Sequence, residues 1–242
     1  MIIEICSNSF ESAKAAQLAG ANRIELCTEL SVGGLTPSYG LIEKVISELQ
    51  IPTHVLIRPR SGNFTYSDEE FDVMLRDISF CKKQGCAGIV SGFLTSENKI
   101  DSNKSKQLIA ASEGMEFTFH RAFDWVENPL EELQKLIDLK VDRLLSSGHK
   151  PTAIEGISLL KELLILSKGK IEIMPGGGIN VENAMKFKEA NFKSIHFSAT
   201  TKSQILKQKP KVSMHSAAFF EEGIVAISNK EIIGKIVQLL NH

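Results

Sequence analysis

Apolar and polar residues alternate through Phe117-Thr118-Phe119-His120, and a period of two marks a strand with two unlike faces. The same alternation appears in Ile2–Cys6, Arg23–Cys27, His54–Arg58, Lys170–Met174 and Ser194–Phe197. Ala87–Gly92 and Arg143–Ser146 are short apolar runs that read as buried strands, and Glu116–His120 completes the set. Between the strands the spacing changes to that of helices. Ser9 caps a first helix with an apolar stripe through Ala13, Ala16 and Leu18, which Gly20 ends. Leu41–Leu49 follows, and Ser67 with Glu70 forms a capping box for a helix to about Gln84. Asp101 opens a helix to about Glu113, and Leu130–Leu139, Thr152–Leu166, Val181–Ala190 and Lys230–Leu240 are further helices. The stretch Ser198–Ser228 has no sustained period, only strand-like pieces around Met214–Phe220 and Val225–Ile227.

Eight strand–helix units at spacings of roughly 20–35 residues predict an α/β fold, a TIM-type (β/α)8 barrel with an irregular segment before its last helix. An open doubly wound sheet is the rival, but no Gly-x-Gly-x-x-Gly follows the first strand. No Pro-, Ser- or Gly-rich linker interrupts residues 1–242, so a single domain is expected. If Ile3, Ile5, Ile24, Leu26, Val55, Ile57, Phe117, Phe119, Ile171, Ile173, Ile195 and Phe197 face the helices, parity turns another set toward the axis. That set is Glu4, Cys6, Glu25, Cys27, His54, Arg58, Thr118, His120, Glu172, Met174, His196 and Ser198. Barrel interiors are ordinarily filled by branched aliphatics, so this polarity implies either an internal ion-pair network or a ligand site.

Composition narrows the field. With 242 residues and 43% hydrophobic content the chain can bury a substantial core. Lys plus Arg (28) nearly balances Asp plus Glu (29), which indicates neither nucleic acid nor membrane as a partner. The chain enters its first strand without a basic, apolar leader, so a cytoplasmic location is expected, with its four cysteines reduced. There is no Cys-x-x-Cys to make a local zinc site.

Candidate chemistry gathers at the C-terminal strand ends, where such barrels place their sites. Glu4, Glu25, Arg58, His120, Asp124 and His196 form a set able to move protons on a small metabolite. No Lys holds an inward strand position, which disfavours Schiff-base chemistry. Pro175-Gly176-Gly177-Gly178 after strand seven and Ser147-Gly148 after strand six can present backbone N–H groups to an anion. Such glycine runs also serve as plain tight turns. Arg58 and Arg60 flank Pro59 in a splayed loop suited to gripping a carboxylate or phosphate, or to pairing with Glu4, Glu25 or Asp124. Cys6 and Cys27 end neighbouring strands with the same parity. Their thiolates, with an imidazole or the Met174 thioether, suit Cu(I), and the plainer alternative is that they fill the barrel top.

Together these motifs resemble the CutC family of copper homeostasis proteins. The matching stretches are Arg23-Ile-Glu-Leu-Cys27, Gly33-Gly-Leu-Thr-Pro-Ser38, Ile57-Arg-Pro-Arg60, Thr118-Phe-His-Arg-Ala-Phe-Asp124, Ser147-Gly148 and Ile173-Met-Pro-Gly-Gly-Gly178. Asn22, Asn63 and Ser146 depart from the expected Asp, Asp and Thr, and the tail after His196 matches less clearly. The resemblance implies a TIM-type barrel, a cytoplasmic homo-oligomer (a dimer) and a link to copper, with Cys27 the metal candidate that carries over best. It leaves two functions in view: Cu(I) binding through Cys27 and Cys6, or acid/base catalysis on a small phosphorylated or carboxylated metabolite.

Overall fold

A computed structural model describes residues 1–204, 206–208, 212 and 224–241. The chain opens with β1 (Ile2–Ser7), α1 (Phe10–Leu18), β2 (Arg23–Leu26), α2 (Tyr39–Glu48), β3 (Thr53–Leu56) and α3 (Asp68–Gln84). It continues through β4 (Gly88–Ser91), α4 (Ser102–Ala111), β5 (Glu116–Phe119), α5 (Pro129–Asp138), β6 (Arg143–Ser146) and α6 (Ile157–Ser167). The last elements are β7 (Glu172–Pro175), α7 (Ala184–Glu189), β8 (Ser194–Phe197), β9 (Thr200–Gln204), β10 (Ile224–Ser228) and α8 (Lys230–Asn241). Strands β7-β6-β5-β4-β3-β2-β1-β8 are neighbours in that order and pair in parallel. An isolated parallel bridge between Gly176 and His196 draws the two ends together, giving a nearly closed (β/α)8 barrel.

Strand parity explains where the core sits. Ile3, Ile5, Ile24, Leu26, Val55, Phe117 and Phe119 are buried in one apolar cluster that continues into the helices. Inside the barrel the apolar cluster is small: Cys6, Cys27, Leu56 and Val90, with Leu30 packed against it. Apart from Met174 and Leu145 the rest of the axis is polar, and to the predicted inward set the structure adds Arg23 and Arg143, which share the parity of Glu25 and Leu145.

Local chemistry sets the helix ends. Ser67 and Glu70 make the expected capping box, and Ser9 accepts from the Ser12 amide. Helix α6 begins at Ile157 rather than Thr152, because Gly148 and Gly156 pack backbone against backbone. A Cβ on Gly156 would lie 2.0 Å from the Ser147 carbonyl oxygen, so the chain must fold over itself before the helix can start. Helix α7 is similarly shortened: Asn180 Oδ1 accepts from Glu182 N (2.9 Å) and Asn183 N (3.2 Å), holding a turn ahead of Ala184. Strands β9 and β10 pair antiparallel, and Asn8 Nδ2 donates to Ala226 O (3.0 Å), tying that hairpin to the end of β1. The strand-like piece at Val225–Ile227 thus falls in β10, whereas Met214–Phe220 lies outside the described residues. Among the described residues no helix is long and apolar enough to cross a membrane.

Candidate functional site

The polar interior is a column of charges. At its base Arg143 bonds Glu116 (2.9 Å), Glu172 (3.2 Å) and Thr118 Oγ1 (2.9 Å), while His54 Nε2 lies 3.4 Å from Glu116. Ser194 Oγ also donates to Glu172. One level up, Arg23 bonds Glu4 through Nε and reaches the Met174 sulfur at 3.3 Å through Nη2. The other Glu4 oxygen takes His196 Nδ1 at 2.8 Å. Glu4 is wholly buried, so this pairing decides its state. Burial alone would raise its carboxyl, but the His196 hydrogen bond and the Arg23 charge outweigh it and hold Glu4 well below the usual carboxylate range. Burial works against the His196 imidazolium too, yet the charge of Glu25 and the nearby Cys6 and Glu4 raise it well above its ordinary value. His54 goes the other way: burial lowers it to about 4, so it is neutral near pH 7.

Above this column sit the thiols. Cys6 Sγ is 3.5 Å from Cys27 Sγ and 3.8 Å from Glu25 Oε1, because β1 and β2 are in register with Cys6 opposite Glu25. One ligating atom from each of Cys6, Glu25 and Cys27 lies within 4.8 Å of the others, and the same holds for Glu4, Glu25 and His196. Hydrogen bonding to Cys27 and burial push the Cys6 thiol well above its ordinary range. Glu25 touches no arginine. Burial pushes its carboxyl up to about 7.

His196 and Cys6 help floor a cavity of about 250 Å³ at the C-terminal end of the barrel, with Glu25, Arg58, His120, Arg121 and Gly178 among its walls. His120 Nδ1 accepts from the Ala122 amide at 3.2 Å, which puts the ring proton on Nε2, and that nitrogen finds no partner among the described residues. Burial, then the Arg58 charge, lowers His120 to about 3 and keeps it neutral. Glu25 Oε2 is likewise buried without a partner.

The structure therefore brings Glu4, Glu25, His196, Cys6 and Cys27 into one connected group, with His120 and Arg58 on the same cavity. Arg58 spends its guanidinium on backbone: Nη1 donates to Val32 O (2.7 Å) and Gly34 O (2.9 Å), and Nη2 to Gly62 O (3.0 Å). Arg60 is turned to Glu70 (2.6 Å) and to the Ser61, Asn63 and Thr65 carbonyls, and is not part of the cavity wall. Ser147 and Gly148 do gather around an anion, but an internal one. The Asp124 carboxylate accepts from the Ser147 amide (3.1 Å) and the Ser146 hydroxyl (2.6 Å), and Gly148 N donates to Ser146 Oγ (2.9 Å). Asp124 is thus the clasp of the loop after β6. In the glycine run, Gly176 is tied by its amide to Ser146 O (2.9 Å), while Gly177 and Gly178 reach the cavity with φ of 111° and 70°.

Three residues escaped the sequence reading. Arg23 and Arg143 were legible by parity from their strands; Arg121 stands outside any strand, in the 3-10 turn Arg121–Trp125, and only the fold brings it to the cavity.

Residues 1–201 match the CutC family profile. The chain belongs to the CutC family. It is 46% identical over 199 residues to a CutC family protein of Pasteurella multocida, covering 82% of each chain. It is 45% identical over 190 residues to the human copper homeostasis protein cutC homolog, covering 78% of this chain and 70% of that one. Among solved structures, CutC from Streptococcus agalactiae superposes with a TM-score of 0.77 at 35% identity, covering 82% of this chain and 98% of that one.

Proposed function

We propose that this member of the CutC family serves copper homeostasis by holding one Cu(I) ion between Cys6 and Cys27. The observation that carries the reading is the 3.5 Å approach of the two sulfurs at the buried ends of adjacent strands. The donor set fits the ion. Two thiols are soft ligands, Leu30, Leu56 and Val90 surround them with apolar contacts, and the Glu25 carboxyl stands beside Cys6. Cu(I) would supply the positive charge that lets the Cys6 thiol give up its proton in a buried place.

The test is a Cu(I) competition titration on reduced protein. Wild type should bind one equivalent tightly, Cys27→Ser and Cys6→Ser should lose that binding, and Arg58→Ala should keep it. Weak binding that the cysteine changes leave untouched overturns the reading.

A specific observation favours a second reading, acid/base catalysis on a small acid. Glu25, raised to about 7, faces the cavity beside His196 and can exchange a proton with a bound molecule near neutrality. Carboxyl carbon NMR should show Glu25 titrating close to pH 7; an ordinary carboxylate midpoint would remove the basis for this reading.

A further inference from the structure

The mouth of the cavity carries a second set of donors, away from the thiols. Arg121 Nε bonds Asp124 Oδ2 at 2.7 Å and Nη2 donates to Ser147 Oγ at 2.7 Å. These two bonds fix the guanidinium plane and leave Nη1 with no acceptor among the described residues. That nitrogen lies against the glycine run, 3.3 Å from where a Cβ on Gly177 would stand. No described residue accepts from the amides of Gly178 or Ile179, both on the cavity wall. The half-exposed cation and the residues with unspent amides line the same cavity, and Gly177 and Gly178 hold positive φ there, which a side chain would strain.

A second observation points to a ligand. His120, 5% exposed, lines the same cavity with its Nε2 proton unpartnered among the described residues, and so does Glu25, 5% exposed, with its Oε2. Buried polar atoms are normally satisfied, and these two orphans, with Arg58 Nε a third on the same cavity, imply a polar guest. At about 30 Å³ per water-sized group, a 250 Å³ cavity has room for about eight such groups. Leu56, Leu145 and Ile179 give its walls an apolar share.

We infer that this cavity binds a small organic oxyanion, its carboxylate or phosphate gripped by Arg121 Nη1 with the Gly178 and Ile179 amides, and its polar body reaching His120 and Glu25. This deepens the second reading above by assigning the residues that hold the substrate's anionic group, and it rests on the cavity donors rather than on the cysteines. A guanidinium already held by Asp124 and Ser147 is preorganised for such a grip.

Calorimetric titration of copper-free, reduced protein with inorganic phosphate, and separately with pyruvate, tests the site and tells the two anion types apart. At least one should bind wild type in the millimolar range or tighter. Arg121→Gln should weaken it by about 10- to 100-fold, the usual worth of a charge-assisted hydrogen bond. Because Arg121 also touches the Asp124 clasp, Ser198→Asp is the companion variant: it sets a negative charge on the cavity wall without disturbing that loop, and should also weaken binding. The titration is run without copper, so a failed copper reading and a failed anion site remain distinguishable. No binding of either anion at roughly tens of millimolar, or binding that both charge variants leave unchanged, overturns the inference. Since binding alone is measured, a protein that binds the anion without turning it over would sink the catalytic reading and leave the site standing.

Discussion

Asp124→Ala separates a structural clasp from a catalytic acid. The Asp124 side chain is 8% exposed, and its carboxylate holds the loop after β6 through the Ser147 amide (3.1 Å), the Ser146 hydroxyl (2.6 Å) and the Ser147 hydroxyl (2.9 Å). Ser146 and Ser147 are themselves fully buried, so alanine leaves their donors facing protein instead of water. Each stranded donor costs about 1–3 kcal/mol. The Arg121 pair adds little, since that side chain is 43% exposed and screened by solvent. The Ser147 hydroxyl keeps the Lys150 carbonyl at 2.6 Å, so two stranded donors, the Ser147 amide and the Ser146 hydroxyl, give a loss of about 3 kcal/mol. Urea unfolding reads this directly. With m on the order of 3 kcal/mol/M, the midpoint should fall by about 1 M at unchanged m. Asp124→Asn, which keeps an acceptor, should lose less. A midpoint shift worth under about 1 kcal/mol in Asp124→Ala would refute the clasp.

Three more outcomes are expected. Gly88→Ala should destabilise by about 2–3 kcal/mol in the same urea assay, because its Cβ would stand 2.7 Å from ring atoms of the buried His54; a neutral result would mean that the ring has space to move. His120, lowered to about 3 in the fold from an ordinary 6.5, is protonated first in the unfolded chain, so its contribution to stability is full above pH 6.5 and is lost as pH falls toward 3. Relative to His120→Gln, wild type should lose about 2 kcal/mol between pH 7.5 and 5, read from unfolding midpoints, and parallel pH curves would contradict the assignment. Cu(I) binding must expel the Cys6 proton, so apparent affinity should rise at least about tenfold per pH unit from pH 6 to 8; pH-independent binding would mean that Cys6 is no ligand.

Much of the fold was legible because barrel strands obey a period of two. Ile3 and Ile5 against Glu4 and Cys6 give the faces of β1 without any tertiary information, and eight such units in series leave few other architectures. Helix starts were harder where side chains bond to nearby backbone: Asn180 and the Gly148–Gly156 contact each hold the chain in a turn through residues whose periodicity reads as helix. For the site, parity brought Glu4, Glu25, Cys6, Cys27 and His196 to one interior, and the structure has them touching in a chain. What parity could not supply was how each charge is spent. Arg58 closes on three carbonyls and Arg60 on Glu70, because their loops fold back beside them. Those contacts depend on loop conformation and leave no periodic trace.

The arginines missing from the sequence reading change what the interior means. Glu4, Glu116 and Glu172 face Arg23, Arg143 and a protonated His196, so the column below the cavity is close to neutral. A neutral column of paired charges fills the space that aliphatic layers occupy in other barrels, and it adds little net field to the cavity above. The field there comes from its own walls: Arg58 and Arg121, against a Glu25 that is half protonated near neutrality. Asp124 offsets Arg121 only in part, since its carboxylate is shared with Ser146 and Ser147. The cavity is therefore net positive when its thiols are protonated. Such a cavity draws an anion to its mouth, and at its floor the hydrogen bond from His196 works against burial in favour of a Cys6 thiolate. The same walls serve both readings, and the position of the donors divides them: sulfur at the end of β1 and β2, nitrogen at the loop after β7.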